Sequence, residues 1–550
     1  MNRFYSLILI IIAFGNSLFA QKSSRIPSEK PKLIVGIVVE QMRYDFIYKY
    51  LDKFGEGGFK RLLNEGTECK NANYNYLFTQ TSPGHATIAT GTNPSHHGIV
   101  AEEWYVRLKN KVVSSVEDEK ESTVGGSFDA GKMSPRQLLT STIGDEIRLS
   151  SLMKSKVFGV SLQGKSAILS TGQTANAAYW FDDASGAWVT SSFYKQNFPS
   201  WVKDFNDKKI ADLYLTQPWE MKLPLADYLD RCLPDDNKYE LGIEGKKTFP
   251  YLLSQIPIID KNKKKFSLLR YTPYGNTYTK DFAISTIVNE QLGKDDYTDL
   301  LMVSFSATEY IGQNFGPQSI ELMDAYVRLD ADLEHFLSFI DQELGKQNVL
   351  IFLTSDHGVA HNPDYLADQG IPVGYFSQTA ALSLLRSYLN VVYGKGDWIK
   401  SYYAQQLYLN QDLIEDSKLN LSDVQQKTAQ FLLQFTGVAN TISASTLQTI
   451  YFPSGVFSKM QNSFNQKRSG DVFINLEPGW VEKNGSPVSH NSAYSYDSHV
   501  PLLWYGWKVK RSSIFDPVDM SDIAPTLSYF LNIAQPNASV GTAIKGLVTQ

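Results

Sequence analysis

The chain has 550 residues, which is enough to bury a large core and long for a single domain. Its apolar fraction of 43%, aromatic fraction of 13% and charged fraction of 20% are those of a globular protein. The net charge of −5 comes without a basic stripe, so nothing indicates a nucleic-acid partner.

The first 20 residues have the pattern of a secretory signal peptide. Arg3 supplies a positive charge, Leu7–Phe14 an apolar segment, and Ser17–Ala20 a cleavage site before Gln21. No later stretch reaches about 18 uninterrupted apolar residues, so no stable membrane span is predicted. We therefore expect an exported protein, either periplasmic or secreted.

The chain contains two cysteines, Cys69 and Cys232. They could pair in an oxidising compartment, but two cysteines far apart in sequence do not establish a bridge, and buried thiols remain the alternative. Any metal ion must therefore be held mainly by carboxylates and by the eight histidines.

Short apolar runs alternate with helical patterns along most of the chain. Lys32–Val39 is typical of a strand covered on both faces, and a helical stretch follows it as far as Leu62. Further strands are predicted at Val157–Leu162, Ala167–Leu169, Asp299–Phe305, Val349–Leu353 and Val500–Tyr505, and helices at Ile320–Leu344 and Ser521–Leu531. This order predicts an α/β fold with a mostly parallel central sheet and helices on both faces.

Two stretches fit this alternation poorly. Residues 170–295 are rich in aromatic residues with weak periodicity, and residues 362–490 mix helical patterns with Gly, Pro and Ser segments. Insertions of this kind between core strands usually cover a site. We therefore predict one domain over residues 21–550, with cap insertions at these two places and no internal repeat.

The stretch Phe78–Gly91 combines hydroxyl residues with a helix start. Pro83 is favoured in the first turn of a helix, which places Thr81 and Ser82 at the helix mouth, where unpaired N–H groups attract anions. A hydroxyl held there beside a metal ion can attack phosphorus or sulfur. The alternative is an ordinary helix cap, in which Thr81 or Ser82 satisfies two backbone donors.

Other polar residues that could bind metal lie at the ends of predicted strands. Asp356 and His357 follow one strand, and His499 comes just before another. Glu309 and Gln313 are four residues apart and could share a helix face. Hydrogen-bonded loops and a solvated helix face are the alternatives, although ligands of open α/β sheets do bind at the carboxyl ends of strands.

Three further histidines receive structural interpretations. We expect His85 to orient the loop that carries Thr81. His361 and His490 lie in loops near the predicted site, and we interpret both as solvated.

Together these elements resemble the alkaline phosphatase superfamily, with a core like that of type I phosphodiesterases and nucleotide pyrophosphatases. The specific resemblance is to exported monomeric zinc alkaline phosphatases that use a threonine nucleophile. It is carried by Glu40-Gln-Met-Arg, Thr81-Ser-Pro-Gly-His-Ala-Thr, His97-Gly-Ile, Gly159-Val-Ser-Leu, Ser304-Phe-Ser-Ala-Thr-Glu-Tyr-Ile-Gly, Phe315-Gly-Pro, Leu353-Thr-Ser-Asp-His-Gly-Val-Ala, Tyr496-Asp-Ser-His-Val-Pro-Leu-Leu and Asp522-Ile-Ala-Pro-Thr-Leu. As an ordered set these motifs are highly specific.

The resemblance implies a site with two zinc ions, a threonine nucleophile and a phosphothreonine intermediate. One ion is held at the positions of Glu40, Thr81, Asp356 and His357, and the other at those of Glu309, Gln313 and His499. Phosphate oxygens meet the positions of Glu102, Gln163 and Lys165, and Lys165 is also expected to assist catalysis. The implied substrates are small phosphorylated compounds, and the implied protein is a monomer.

Three of the implied metal ligands depart from the family residue. Glu40 and Glu309 each add a methylene to a carboxylate, and zinc sites tolerate only about ±0.2 Å in ligand distance. Gln313 offers a neutral amide where the family has an imidazole, and an amide is a weak zinc ligand. These changes weaken the implied metal site.

The implied phosphate contacts depart as well. Glu102 places a negative charge beside the phosphate, and at about 4 Å and an effective dielectric near 20 the repulsion is about 4 kcal/mol. Gln163 removes one cation, and Lys165 lacks the planar fork of an arginine.

Three functional interpretations follow. The first is an active phosphate monoesterase, since Thr81 and the scaffold match the family. The second is a catalytically silent relative that binds a ligand or has a structural role. The third, a phosphodiesterase or sulfatase, fits less well: a sulfatase needs Cys or Ser at position 81, and diesterases often have Asn where this chain has Glu102.

Overall fold

The computed structural model describes residues 29–260, 263–482 and 488–549. The predicted signal peptide at residues 1–20 lies outside these ranges. Within them, one sheet of ten strands runs through the molecule, in the order β19 (Ser512–Ile514), β2 (Thr67–Cys69), β18 (Leu502–Gly506), β11 (Val349–Thr354), β1 (Leu33–Val39), β10 (Asp299–Phe305), β7 (Val157–Ser161), β8 (Ala177–Phe181), β9 (Trp188–Ser191) and β6 (Thr123–Val124). The prediction of an α/β fold with a mostly parallel central sheet is confirmed, because the five central strands β11, β1, β10, β7 and β8 are all parallel.

The strands have the following bounds: β1 Leu33–Val39, β2 Thr67–Cys69, β3 Ala72–Asn73, β4 Glu103–Val106, β5 Lys111–Ser114, β6 Thr123–Val124, β7 Val157–Ser161, β8 Ala177–Phe181, β9 Trp188–Ser191, β10 Asp299–Phe305, β11 Val349–Thr354, β12 Tyr375–Phe376, β13 Ile399–Tyr403, β14 Gln406–Leu409, β15 Val438–Ser443, β16 Val472–Leu476, β17 Val481–Glu482, β18 Leu502–Gly506, β19 Ser512–Ile514 and β20 Val518–Asp519.

The α-helices span Tyr44–Lys49, Phe59–Glu65, Thr81–Thr90, Pro94–His97, Ile143–Ser150, Gly164–Leu169, Ser200–Asp207, Ile210–Thr216, Leu225–Leu229, Tyr274–Asn289, Ala307–Phe315, Ile320–Glu343, Pro363–Asp368, Gln378–Tyr393, Gln411–Asp416, Leu421–Leu432, Ala444–Thr449, Gly455–Ser463, Ser495–Ser498, Ile523–Leu531 and Lys545–Val548.

Strand β1 is the centre of the sheet, paired with β10 on one side and β11 on the other. All seven of its residues are buried, since helices cover both faces. Leu33, Val35 and Ile37 belong to the hydrophobic core on one face, and Ile34 and Val38 to the core on the other. Because successive side chains of a strand point to opposite faces, the continuous apolar run contributes residues to both cores.

Two sequence predictions of local structure are wrong. The segment Ala167–Leu169 was expected as a strand, but it is part of the helix Gly164–Leu169, which packs on β7 and β8. The helical stretch as far as Leu62 is interrupted before Phe59. There the carboxylate of Asp330 accepts hydrogen bonds from the backbone N–H groups of Gly55 and Phe59, at 2.7 Å each.

The two predicted insertions differ in how they attach to the central sheet. Within residues 170–295, strands β8 and β9 extend the central sheet itself. Within residues 362–490, strands β13, β14, β16 and β15 form a separate antiparallel sheet with its own hydrophobic core. The domain boundaries and the covering role of these segments remain predictions.

The two cysteines are free. Cys69 belongs to the core on one face of the central sheet, and Cys232 packs against the core on the other face, so the sheet separates them. Among the described residues, no helix combines the length and the apolar character needed to cross a bilayer.

Candidate functional site

The candidate site lies at the carboxyl edge of the four adjacent parallel strands β11, β1, β10 and β7. Glu40 follows β1, Ser306 follows β10, Gln163 follows β7, and Asp356 and His357 follow β11. Because parallel strands end at the same edge, residues far apart in the sequence meet there.

Thr81 is the first residue of a ten-residue buried helix, Thr81–Thr90, which we call the Thr81 helix. A Cβ atom on Gly84 would lie 2.3 Å from the backbone oxygen of Asp356, so only glycine lets this helix approach the end of β11 so closely. Gly91 ends the helix in the left-handed conformation, with φ of 65°. Tight packing thus fixes Thr81 against the strand ends.

The Thr81 hydroxyl lies between a carboxylate and an imidazole. Its Oγ1 donates to Oε1 of Glu309 at 3.4 Å and lies 3.3 Å from Nε2 of His357. Glu309 is in the helix Ala307–Phe315, and Gln313, one turn later, donates from Nε2 to the same Oε1 at 3.0 Å. The predicted shared helix face of Glu309 and Gln313 is therefore present.

Two stacked imidazoles point their Nε2 atoms into this centre. The rings of His357 and His490 lie 3.8 Å apart. Nδ1 of His357 is 2.8 Å from the backbone oxygen of Gly358, and Nδ1 of His490 is 2.8 Å from that of Thr79. Because a carbonyl oxygen only accepts, each Nδ1 carries the proton, which leaves the Nε2 lone pairs free for a ligand.

The structure places His490, rather than His499, in this centre. Nε2 of His490 lies 3.6 Å from Oε1 of Glu309, so the expectation of a solvated His490 is wrong. His499 is near the correct edge, but its ring stacks on Tyr44 at 4.3 Å and its Nε2 lies 3.0 Å from the backbone oxygen of Lys70. The structure therefore does not bring the predicted ligand His499 to the other site residues.

Three donor groups of this centre, from Glu309, His357 and His490, lie close enough to one another to share one metal ion, and Asp356 is outside that group. Ligand atoms bound at about 2.1 Å in a tetrahedron lie about 3.4 Å from one another. Here Nε2 of His357 lies 3.9 Å from Oε1 of Glu309 and 3.4 Å from Oδ2 of Asp356. Glu309, His357 and His490 form a group whose donor atoms all lie within 4.8 Å of one another.

Asp356 contributes an oxygen that the protein leaves open. Its Oδ1 accepts backbone hydrogen bonds from Gln41 and His357, at 3.0 and 2.9 Å. Its Oδ2 is buried and has no hydrogen-bond partner among the described residues. A buried, unpartnered carboxylate oxygen is costly unless a cation satisfies it, so Asp356 fits a metal site.

Burial sets the charge of these groups. It lowers the pKa of His357 to about 4, and burial with the neighbouring His357 lowers the pKa of His490 to about 3, so both rings are neutral near pH 7. Burial and the charge of Glu40 raise the pKa of Asp356 to about 6 and that of Glu309 well above its ordinary value. Neutral imidazoles and mutually repelling carboxylates are what a bound cation would stabilise.

Glu40 lies beside this centre, with its oxygens occupied by the protein. Oε1 accepts from the hydroxyls of Ser304 and Ser306 at 2.7 Å each, and Oε2 accepts from Nε2 of Gln163 at 2.6 Å. Burial acts to raise the pKa of Glu40, but the hydrogen bond and charge of His85 and the Ser304 hydroxyl hold it below its ordinary value. Neither serine was among the predicted site residues, although their alternation at the end of β10 was a usable signal.

The remaining predicted anion contacts form a closed network at the start of the Thr81 helix. Glu102 accepts hydrogen bonds from the backbone N–H and the hydroxyl of Ser82, at 2.8 and 3.1 Å. Lys165 forms an ion pair with the same carboxylate. The Glu102 carboxylate therefore lies at the positive end of the helix and pairs with the lysine, both of which a phosphate group would use.

Of the two remaining histidines, His85 was expected to orient the loop that carries Thr81, and His361 was expected to be solvated. His85 contacts the end of β10 and Glu40, with Nε2 at 3.4 Å from Oγ of Ser304 and 3.5 Å from Oε1 of Glu40. His361 accepts from Arg43 at 3.0 Å and is not among the residues of the centre.

Several known proteins are similar to the chain over most of its length. A family model described as type I phosphodiesterase / nucleotide pyrophosphatase matches residues 34–496. A Myroides odoratus protein named calcium-transporting ATPase is 40% identical to the chain, over 95% of each sequence. Alkaline phosphatase PhoV of Synechococcus elongatus is 38% identical over 97% of this chain and 94% of its own length.

Alkaline phosphatase PafA of Elizabethkingia meningoseptica is 37% identical over 98% of each sequence. A crystal structure of wild-type PafA superposes with a TM-score of 0.90 at 38% identity, covering 96% of this chain and 100% of that one. The chain therefore belongs to the type I phosphodiesterase / nucleotide pyrophosphatase family, within the alkaline phosphatase superfamily.

Proposed function

We propose that the chain is a metal-dependent phosphoric monoester hydrolase of the alkaline phosphatase type, in which the hydroxyl of Thr81 attacks phosphorus. One observation carries the proposal: Oγ1 of Thr81 lies at the mouth of a buried helix, 3.3 Å from His357 and 3.4 Å from Glu309. The relatives named alkaline phosphatases, which match nearly the whole chain, support the same reaction.

The metal we propose is zinc, held by Glu309, His357 and His490 beside Thr81, with Asp356 next to His357 as the fourth candidate ligand. Imidazole nitrogens and carboxylate oxygens are ligands that zinc accepts in a tetrahedral site. When bound there, the ion would lower the pKa of the attacking hydroxyl and polarise a phosphoryl oxygen.

The residues of the chain account for the proton and the bonds. Thr81 transfers its proton toward Oε1 of Glu309, to which it already donates, while its Oγ1 forms a bond to phosphorus. The ester bond to the leaving group breaks, and the departing alkoxide takes a proton from water to become the alcohol. The hydroxide left by that water forms a bond to phosphorus while the bond between phosphorus and Oγ1 breaks, which releases phosphate, and Oγ1 takes its proton back from Glu309.

We propose that the start of the Thr81 helix and Lys165 receive the transferred phosphoryl group. The backbone N–H of Ser82 and the ammonium of Lys165 supply the positive charge. In the absence of substrate, Glu102 binds both the backbone N–H of Ser82 and the ammonium of Lys165. A phosphate ester must therefore displace the Glu102 carboxylate or bind beside it. Gln163 is fixed to carboxylates and is therefore a poor phosphate ligand here.

The expected substrates are small phosphorylated compounds, as for phosphatases in general. We propose that the chain acts outside the cytoplasm and as a monomer, on the basis of the signal-peptide pattern and the resemblance described above. The alternative of a catalytically silent relative is not favoured, because the relatives with this coverage include two named as alkaline phosphatases.

The test is hydrolysis of an aryl phosphate with zinc supplied, using Thr81→Ala and a matched control. Thr90 lies in the same buried helix, but its hydroxyl donates to the backbone oxygen of Ala86 at 2.7 Å, so Thr90→Ala removes a threonine without touching the centre. We expect Thr81→Ala to lose at least about a thousandfold in kcat/KM and Thr90→Ala to retain turnover. Equal turnover in Thr81→Ala and the wild type would remove Thr81 from the mechanism.

A further inference from the structure

We infer that the centre binds one metal ion, and that the side-chain amide of Gln163 does in this chain what a second cation does in a two-metal site, by holding two buried carboxylates together. The inference rests on the proposed function and concerns the number of ions and the role of Gln163. It makes Gln163 a positioning residue.

The hydrogen bonds of Gln163 are the first observation. Its Nε2 donates to Oε2 of Glu40 at 2.6 Å and to Oε2 of Glu309 at 2.7 Å. A side-chain amide nitrogen carries two N–H groups, so both are spent on these two carboxylates. Gln163 therefore links the end of β1 to the helix Ala307–Phe315.

The closeness and burial of the two carboxylates are the second observation. The sum of the two distances, 5.3 Å, is the upper limit on the separation of the bonded oxygens. Glu40 is fully buried and Glu309 is 4% exposed, so water screens their repulsion little. Two such groups are stable together only with positive charge or hydrogen-bond donors between them, and Gln163 places two donors there.

The third observation is that the described part of the chain offers no second set of open ligands. The oxygens of Glu40 accept from Ser304, Ser306 and Gln163. Among the described residues, the group of three that can hold a metal contains Glu309, His357 and His490 and leaves Glu40 out. Gln313 donates an amide N–H to Glu309, and its amide oxygen would be a weak zinc ligand at a second site. The residues therefore fit one zinc ion and do not fit two.

The experiment counts metal ions in the full chain, independently of turnover. The protein is dialysed against a zinc buffer, and zinc is measured by mass spectrometry. Titration of metal-free protein with Co²⁺, followed through the visible absorption of the bound ion, gives a second count. We expect one equivalent of either metal in the wild type.

The variant Gln163→Glu keeps the shape of the side chain but replaces the two donors with a third carboxylate. We expect it to bind two equivalents, because a cation must now satisfy the carboxylates. Gln163→Ala opens space and leaves Glu40 and Glu309 without the shared donor, so we expect it to bind two equivalents of metal as well. This variant replaces Gln163→Glu in the experiment if Gln163→Glu does not fold. Gln425→Glu is the matched control, since this buried amide donates to Asp471 at 2.9 Å away from the centre.

The outcomes separate the two proposals. Two ions in the wild type, or one ion in both Gln163 variants, would overturn the inference. One ion in the wild type and two in either Gln163 variant, with Gln425→Glu unchanged at one, would support it. One ion without Thr81-dependent turnover would keep the inference and overturn the proposed function, whereas two ions with such turnover would do the reverse.

Discussion

Replacing Glu102 with glutamine should strengthen the binding of inorganic phosphate. Glu102 accepts hydrogen bonds from Ser82 and pairs with Lys165, so its carboxylate fills the predicted anion pocket. Glutamine has nearly the same shape and keeps an oxygen acceptor for the backbone N–H of Ser82. The substitution therefore removes one negative charge with little change in packing.

The size of the effect follows from Coulomb's law. A carboxylate about 4 Å from a phosphate oxygen repels it by about 4 kcal/mol at an effective dielectric of 20, and by about half as much where water screens more strongly. Since about 1.4 kcal/mol is tenfold in affinity, Glu102→Gln should tighten phosphate binding by about 30-fold to 1,000-fold. The freed ammonium of Lys165 acts in the same direction.

The assay is the inhibition constant of orthophosphate, measured against an aryl phosphate at fixed ionic strength. Glu103→Gln is the matched control, because it removes the same charge from the neighbouring residue in the chain. Phosphate affinity that rises equally in both variants would mean that only net charge matters. Affinity that rises in neither would mean that Glu102 does not occupy the phosphate position, and either result refutes the reasoning.

Three further predictions concern the metal ligands, the packing and the pH response. His490→Ala should lose at least about tenfold in zinc affinity while His499→Ala keeps it, measured by competition with a chelator, and equal losses would contradict the assignment. Gly84→Ala should lower the free energy of unfolding by about 1–3 kcal/mol and reduce turnover, since its Cβ would meet the backbone of Asp356; an unchanged urea midpoint would count against that contact. Burial raises the pKa of Glu321 to about 8, so this side chain keeps a proton in the folded state that it loses in the unfolded state. The contribution of Glu321 to the free energy of unfolding therefore falls as the pH rises from about 4.5 to about 8, by up to about 1.4 kcal/mol per pH unit. Glu321→Gln should flatten this fall between pH 5 and pH 8 in urea titrations, whereas the exposed Glu343→Gln in the same helix should not.

Sequence patterns predicted the core strands well because burial on both faces demands continuous apolar runs. Asp299–Phe305 and Val349–Leu353 match β10 and β11 to within one residue, and Lys32–Val39 exceeds β1 by one. The pattern failed at Ala167–Leu169, because three apolar residues fit a buried helix as well as a strand.

The site was harder to predict than the fold. Thr81, Asp356 and His357 were identified because motif and strand end coincided, and the structure brings them together. His499 was assigned as a ligand through the family resemblance, and His490 was interpreted as a solvated loop residue. Only the folded chain shows that the ring of His490 stacks on His357 while that of His499 faces Tyr44.

The amino-acid sequence by itself determined the α/β scaffold and the position of the hydroxyl at a helix start, since hydrophobic periodicity and Pro83 act locally along the chain. The tertiary structure decided which charges meet: Glu102 with Lys165, and Glu40 with Glu309 through Gln163. The physical reason is that electrostatic contacts depend on distances of a few ångströms between strand ends, and those distances exist only once the sheet has formed.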